Sequence, residues 1–395
     1  MKGSGQFKVS ARGDREIVMT RVFDAPRAVV FAAHTLPALV RRWLLGPAGW
    51  SMPICDIDLR VGGRYRHVLR RDADGKEMGW GGVYREIVPP ERIVATESFD
   101  DPWYQGEALT TIDLVERGGR TTLTTTTLFV SSEARDAVLK SGMETGVAVS
   151  YDRLEEISRE IEMAREVQLR LLPRQQPSLQ TLDYRARCLQ LHGLGGDYYD
   201  FLELDADRTG FVLTDIAGKG IPAALLMASL QASIRSQSAL ALDDLPRLLR
   251  SVNRLFNEAT ESHRYASVFM GVYDDSTRRL RYANCGHPPP LLVGGDGRLE
   301  RLSGTATVLG LFERWDCSVA EIQLQPDDVL VIYSDGVTEA RSGEELYGEA
   351  RLLEAIRAHR GRPVVDLLET IVADVDRFSG RLREDDLTLI VARCR

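Results

Sequence analysis

The stretch that most restricts this chain is residues 195–222, GGDYYDFLELDADRTGFVLTDIAGKGIP. Two β-rich runs, 198–204 and 210–214, flank Asp205-Ala206-Asp207-Arg208-Thr209, which is polar turn material. A hairpin centred near Ala206 sets Asp197, nine residues before it, beside Asp215, nine residues after it, at one end of the ribbon. Carboxylates that close repel unless they share a proton or a cation, and oxygen-only donor sets suit hard cations such as Mg²⁺ or Mn²⁺. The alternative is structural: Asp197 follows a Gly-Gly turn, and Asp215 caps a helix opened by residues 218–222.

More acids stand at strand ends. The apolar run 329–333 (VLVIY) ends at Ser334-Asp335-Gly336, and Glu384-Asp385-Asp386 precedes the apolar run 387–392. A lone Asp at a strand end is ordinarily a turn residue. Repetition of the pattern points to one shared site.

The ordered set GGDYYD (195–200), DIAGKG (215–220), SDGVTEA (334–340) and DDLT (385–388) resembles the PPM family, the metal-dependent serine/threonine phosphatases of type 2C, in its SpoIIE/RsbU-like branch. The likeness covers roughly the last 230 residues and includes AALLMASLQASIR, NCGHPPPLL and LYGEARLLEAI. It implies an αββα sandwich whose strand ends hold two Mn²⁺ or Mg²⁺ ions. Carried over by residue, it implies that Asp215 bridges the metals, that the carbonyl of Ile216 completes the first, and that Asp197, Asp335 and Asp385 surround the second. Asp386 stands where many relatives have Asn, and is expected to support the metal set from behind. Asp197, Asp215, Asp335 and Asp385 are thus the expected catalytic carboxylates. A water shared by two cations is acidified enough to attack phosphorus in line, with no covalent enzyme intermediate. None of the five cysteines is followed by Arg at the sixth position, which disfavours a phosphocysteine route. His192, close before the motif, is expected to be a partly buried structural histidine, with contact to phosphate as the alternative, and His287, before three prolines, to shape a turn.

A net charge of −8 with no offsetting basic cluster argues against general nucleic-acid binding. Five dispersed cysteines without metal-type spacing suit a reducing cytoplasm. No run approaches the ~20 apolar residues of a membrane span, and MKGSGQFKVS lacks the apolar core of a signal peptide. A cytoplasmic protein is expected.

In the first half, residues 1–13 read as a frayed, disordered end. A strand (16–23), helices at 27–35 and 37–44, six strand-like runs between 52 and 129, and a closing helix follow. That order, with FDAPRAVVFAAHT, WLLGPAGW, RVGGRYR and GVYREIVPPERIVATESF, resembles the START-like (SRPBCC) superfamily, in the branch related to the activator of the heat-shock-protein ATPase. It implies a helix-grip domain over 14–157 whose sheet wraps the last helix around an apolar ligand cavity. Trp43, Trp80, Phe99, Trp103 and Met143 are the expected lining, with core packing as the alternative for each. Gly142 and Gly146, one turn apart on that last helix, suggest close approach of sheet or ligand, with a simple packing notch as the equal alternative.

Between the halves, Leu154, Ile157, Ile161, Ala164 and Leu171 fall on a/d spacing, with Gln168 in the remaining slot and Pro173 ending the run. The pattern suits a parallel homodimer helix over a linker at 158–178, or a helix packed back on its own domain. The fold class expected is therefore α+β: a helix-grip domain, a helical coiled-coil linker, and a PPM-type sandwich at 179–395. The expected function is dephosphorylation of a phosphorylated STAS-domain anti-sigma-factor antagonist, the substrate class the resemblance implies, under control of a small apolar ligand. The alternative is a catalytically silent pseudophosphatase serving as a ligand-responsive partner-binding scaffold.

Overall fold

The computed structural model describes residues 7–395 apart from Trp103, His192, Leu242, Ser262, Arg381 and Leu382. The chain divides into two compact units, one ending at Ala164 and the other beginning at Arg165.

The first unit runs β1 (Lys8–Arg12), β2 (Glu16–Phe23), α1 (Arg27–Thr35), α2 (Pro37–Trp43), β3 (Trp50–Ile57), β4 (Arg64–Arg71), β5 (Glu77–Val88), β6 (Arg92–Phe99), β7 (Ala108–Arg117), β8 (Arg120–Leu128), α3 (Ser132–Lys140) and α4 (Met143–Leu169), whose last residues belong to the second unit. Its strands form one sheet of order β1-β2-β8-β7-β6-β5-β4-β3. Period-two burial explains the strands: Ile17, Met19, Arg21 and Phe23 of β2 are buried, and so are Thr121, Leu123, Thr125 and Thr127 of β8. Fixed φ at Pro26 and Pro37 helps start the two short helices. This is the expected helix-grip order, with two corrections. Lys8–Arg12, assigned to a frayed end, pairs with β2 as an edge strand. Gly142 is not part of the last helix: it takes φ of 77° between α3 and α4, a conformation that ends a helix.

The second unit continues with β9 (Leu182–Leu189), β10 (Tyr198–Glu203), β11 (Arg208–Ile216), α5 (Gly220–Ala241), α6 (Leu245–Ala259), β12 (Ala266–Asp274), β13 (Arg279–Cys285), β14 (Leu291–Val293), β15 (Leu299–Arg301), β16 (Ala320–Gln323), β17 (Val329–Tyr333), α7 (Asp335–Thr338), β18 (Arg341–Ser342), β19 (Glu345–Leu346), α8 (Gly348–His359), α9 (Val364–Phe378) and β20 (Leu387–Cys394). Two five-stranded antiparallel sheets, β10-β11-β12-β13-β16 and β15-β14-β17-β20-β9, carry the core. Phe201, Phe211 and Phe269 of the first meet Leu330, Ile332 and Ile390 of the second in a shared apolar layer. Helices α5 and α6 close the outer face of the first sheet through Met227, Leu230, Leu248 and Val252, and α8 and α9 close the second through Leu352, Ile356, Leu367 and Ile371. The αββα layering follows.

The heptad strip has a different fate from the dimer seam expected of it. Leu154, Ile157 and Ile161 are buried by the chain itself, because the same apolar spacing serves packing in cis. Ala164 is exposed. Leu171 and Leu172 pack against the α5–α6 core, and Gln168 is buried at 3 % exposure.

Candidate metal centre

The hairpin is in the register the sequence predicts. Tyr198 pairs with Thr214 and Glu203 with Thr209, so Asp197 and Asp215 stand opposite each other just beyond the ribbon's end. Tyr198 and Leu202 face the helices while Phe201 faces the other sheet, which anchors the ribbon on both sides.

Asp386 sets the loop before β10. Its Oδ2 accepts from the backbone N–H of Gly196 at 2.7 Å and of Asp197 at 3.4 Å, and its Oδ1 accepts from Leu191 at 2.8 Å. A side chain at Gly195 would run into that carboxylate, and one at Gly336 into the Asp386 carbonyl, so both positions require glycine. Gly196 passes close to the Ile216 carbonyl. Asp335 opens α7 at the end of β17. There Ser334 is tied to β20 through its N–H to the Thr388 carbonyl and its Oγ from the Thr388 N–H, each at 3.0 Å. Asp385 lies one residue before Asp386 and holds the Lys219 ammonium at 2.7 Å.

These carboxylates act on one another. Burial, then repulsion from Asp335, Asp385 and Asp386, pushes Asp215 up to about 8. Burial, then Asp385, pushes Asp335 up to about 6. Asp197, fully enclosed, is raised well above the ordinary carboxylate range by burial and by Asp215 and Asp386. Its Oδ2 has no hydrogen-bond partner. Repelling, oxygen-only donors with one buried orphan oxygen fit a hard divalent cation, whose charge would reverse each of these shifts. Among the described residues no three carboxylate, His or Cys side chains are already drawn in around a common metal position. Lys219, against Asp385, partly offsets the repulsion on Asp215 and Asp335.

Two features of the site were not read from the sequence. The Gln168 amide grips the Gly195 peptide from both sides: its Nε2–H donates to the Gly195 carbonyl at 2.7 Å, and its Oε1 accepts the Gly195 N–H at 3.2 Å. Asp200, with no exposure, takes both guanidinium arms of Arg235, at 2.7 and 2.8 Å, and the Tyr198 hydroxyl. A polar residue in an apolar heptad slot and the second Asp of GGDYYD were the available signals. His287 shapes a turn: Asn284 Oδ1 accepts its N–H, and its ring is buried against Ser267. His192 lies outside the described residues.

The expected ligand-pocket residues do not converge. Trp43 donates its indole N–H to the Ala33 carbonyl and packs near His34 and Tyr151. Trp80 and Phe99 stack at 5.9 Å in a cluster with Met52, Cys55 and Leu69. Met143 joins a separate cluster with Ile17, Met19 and Phe129. Trp103 lies outside the described residues.

Residues 205–395 match the family model described as stage II sporulation protein E (SpoIIE), and residues 24–159 match that of activator of Hsp90 ATPase homolog 1-like protein. The chain is 29 % identical over 247 residues to phosphoserine phosphatase RsbU of Bacillus subtilis, covering 60 % of this chain and 71 % of that protein. It is 28 % identical over 222 residues to phosphoserine phosphatase RsbP of the same organism, covering 55 % of this chain and 53 % of that one. The SiaA-PP2C domain of Pseudomonas aeruginosa superposes with a TM-score of 0.54 at 21 % identity, over 60 % of this chain and 96 % of that domain, a likeness of fold. No described helix is long and apolar enough to cross a membrane.

Proposed function

Because residues 205–395 belong to the SpoIIE-type protein serine/threonine phosphatases of the PPM family, and residues 24–159 to the activator-type START-like domains, we propose that this protein is a cytoplasmic, ligand-regulated phosphatase acting on phosphoserine or phosphothreonine of a STAS-domain anti-sigma-factor antagonist. What supports the reading is that Asp197, Asp215, Asp335, Asp385 and Asp386 come from separate strand ends near enough to repel one another: burial and that repulsion raise Asp197, Asp215, Asp335 and Asp386, with Asp385 among the repelling charges. Asp197, Asp215, Asp335, Asp385 and the Ile216 carbonyl would hold two Mn²⁺ or Mg²⁺ ions. Bound divalent cations supply an acidified water and neutralise the phosphoryl oxygens. The chain's own part is placement: Asp386 holds the 195–197 loop, the hairpin register sets Asp215 against Asp197, and the Ser334–Thr388 tie sets Asp335 beside Asp385. Gln168 suggests the route of control, since α4 begins in the START-like unit and its last turn grips Gly195.

The test is Mn²⁺-dependent hydrolysis of p-nitrophenyl phosphate and of a phosphoserine STAS protein by wild type and Asp215→Asn. Hydrolysis of both by wild type, abolished by the substitution and by EDTA, supports the reading. Turnover unaffected by the substitution would sink it.

A further inference from the structure

The carbonyl of Ile216 is kept open from two sides. Pairing of β10 with β11, carried two residues past Tyr198–Thr214, sets Gly196 opposite Ile216. A side chain at Gly196 would lie 3.1 Å from the Ile216 oxygen, so the two backbones stay close there. The ladder's phase is fixed at its far end, where the Leu204 N–H donates to the Arg208 carbonyl at 3.0 Å. Alternation from that pair makes Gly196 and Ile216 a hydrogen-bonding pair, in which the Gly196 N–H would serve the Ile216 oxygen. Asp386 takes that N–H instead, at 2.7 Å, and the Ile216 oxygen receives no hydrogen bond from the described residues.

Residues 264 and 265 fix the same stretch from the opposite side. The Ala217 N–H donates to the Tyr265 carbonyl at 2.9 Å. Because N–H and C=O point in opposite directions across a trans peptide, this bond turns the Ile216 oxygen away from β12 and toward the loop that carries Asp197. Arg264 holds the next peptide, its Nη1–H donating to the Ala217 carbonyl at 3.1 Å. A Cβ at Gly218 would lie 2.3 Å from that nitrogen, so only glycine, here at φ of 118°, lets the guanidinium sit against the loop. Lys219, the other cation of the loop, is held by Asp385. Arg264, half-buried, has no acidic partner among the described residues, and its charge is directed at a main-chain oxygen.

We infer, resting on the phosphatase reading, that Arg264 is a positioning residue for the metal centre: by holding Ala217 it keeps the open Ile216 oxygen aimed at the cation position. It acts through the peptide and touches neither metal nor substrate. A bound partner behind a ligand fixes that ligand's direction, and its loss ordinarily shows in metal affinity.

Calorimetric titration of the full-length protein with Mn²⁺ tests this, together with the luminescence lifetime of bound Eu³⁺ in H₂O against D₂O, which counts the waters on the ion. Arg264→Met should weaken Mn²⁺ binding roughly tenfold or more and raise the water count by about one, as water takes the place of the carbonyl. Arg264→Lys keeps an N–H for the Ala217 oxygen and should retain most of the affinity with an unchanged count. Gly218→Ala, which displaces the guanidinium without altering it, should reproduce both changes and gives the answer if Arg264→Met does not fold. A lowered melting temperature with affinity and water count as in wild type would mark Arg264 as structural only, and would overturn the inference. Equal losses in Arg264→Lys and Arg264→Met would overturn it too. Wild type that binds no Mn²⁺ would remove the phosphatase reading itself, and this role of Arg264 with it.

Discussion

Gln168→Ala removes the clasp between the end of α4 and the loop that carries Asp197. Two hydrogen bonds are lost, at 2.7 and 3.2 Å, and both Gly195 backbone groups are left buried without a partner. A buried unsatisfied polar group costs about 1–3 kcal/mol, so the loss should total about 2–5 kcal/mol. For a unit of this size that corresponds to a fall in melting temperature of about 5–15 °C. Gln168→Glu is the sharper probe. It keeps the acceptor for the Gly195 N–H but places an oxygen against the Gly195 carbonyl, so only its protonated form restores the clasp. The introduced carboxyl is then raised in the folded state, and the deficit of this variant relative to wild type should shrink as pH falls from 8 to 5. Urea titrations at both pH values measure the stabilities, and Mn²⁺ titration of p-nitrophenyl phosphate hydrolysis measures the consequence for the site. A loosened Gly195 should raise the Mn²⁺ concentration for half-maximal activity by more than it lowers the maximal rate. Two variants within about 0.5 kcal/mol of wild type and with its Mn²⁺ dependence would refute the reasoning.

Asp200→Ala should cost about 1–3 kcal/mol in urea unfolding, since it leaves the buried Tyr198 hydroxyl without its acceptor while the half-exposed Arg235 fork turns to water. Gly195→Ala should leave the far-UV spectrum intact but abolish Mn²⁺-dependent hydrolysis, because the added methyl displaces the Asp386 carboxylate that ties the loop. Burial holds His287 at about 3 against an ordinary 6.5. Its folded pKa is depressed, so its contribution is complete above pH 6.5 and is lost as pH falls through the window to 3, about 2 kcal/mol of it by pH 5. His34 and His67, each lowered to about 4, act in the same direction on the first unit. An NMR titration in which the His287 ring responds near pH 6.5 would refute that reading.

What the sequence disclosed was whatever period and turn chemistry encode locally. The Asp197–Asp215 pairing followed from counting residues on either side of a polar turn, and β2–β8, β10, β11, β17 and β20 followed from β-rich or apolar runs bounded by turns, whereas β9, β12–β16, β18 and β19 were not read. The edge strand β1 escaped because KVSAR is mostly exposed and carries no alternation. Gly142 was misplaced because spacing shows where two glycines would meet on a helix but not that the backbone turns left-handed between helices. The heptad strip was legible and ambiguous, since apolar residues at that spacing serve a partner chain or the chain's own core equally well. Asp386 and Gln168 lie 190 and 27 residues from the glycines they hold, and contacts at such separation leave no local pattern.

The hairpin also makes the site a matter of parity. Because β10 and β11 pair residue for residue from Tyr198–Thr214 to Glu203–Thr209, extra residues between Leu204 and Asp207 lengthen only the distal turn and leave Asp197 facing Asp215. Removing a single residue from either strand brings a neighbour into that place and turns the displaced aspartate to the opposite face of the sheet. Homologous chains should therefore vary freely in the length of this turn and keep both strands at fixed length. A deletion scan across the hairpin should separate into silent positions in the turn and null positions in the strands, with few intermediates.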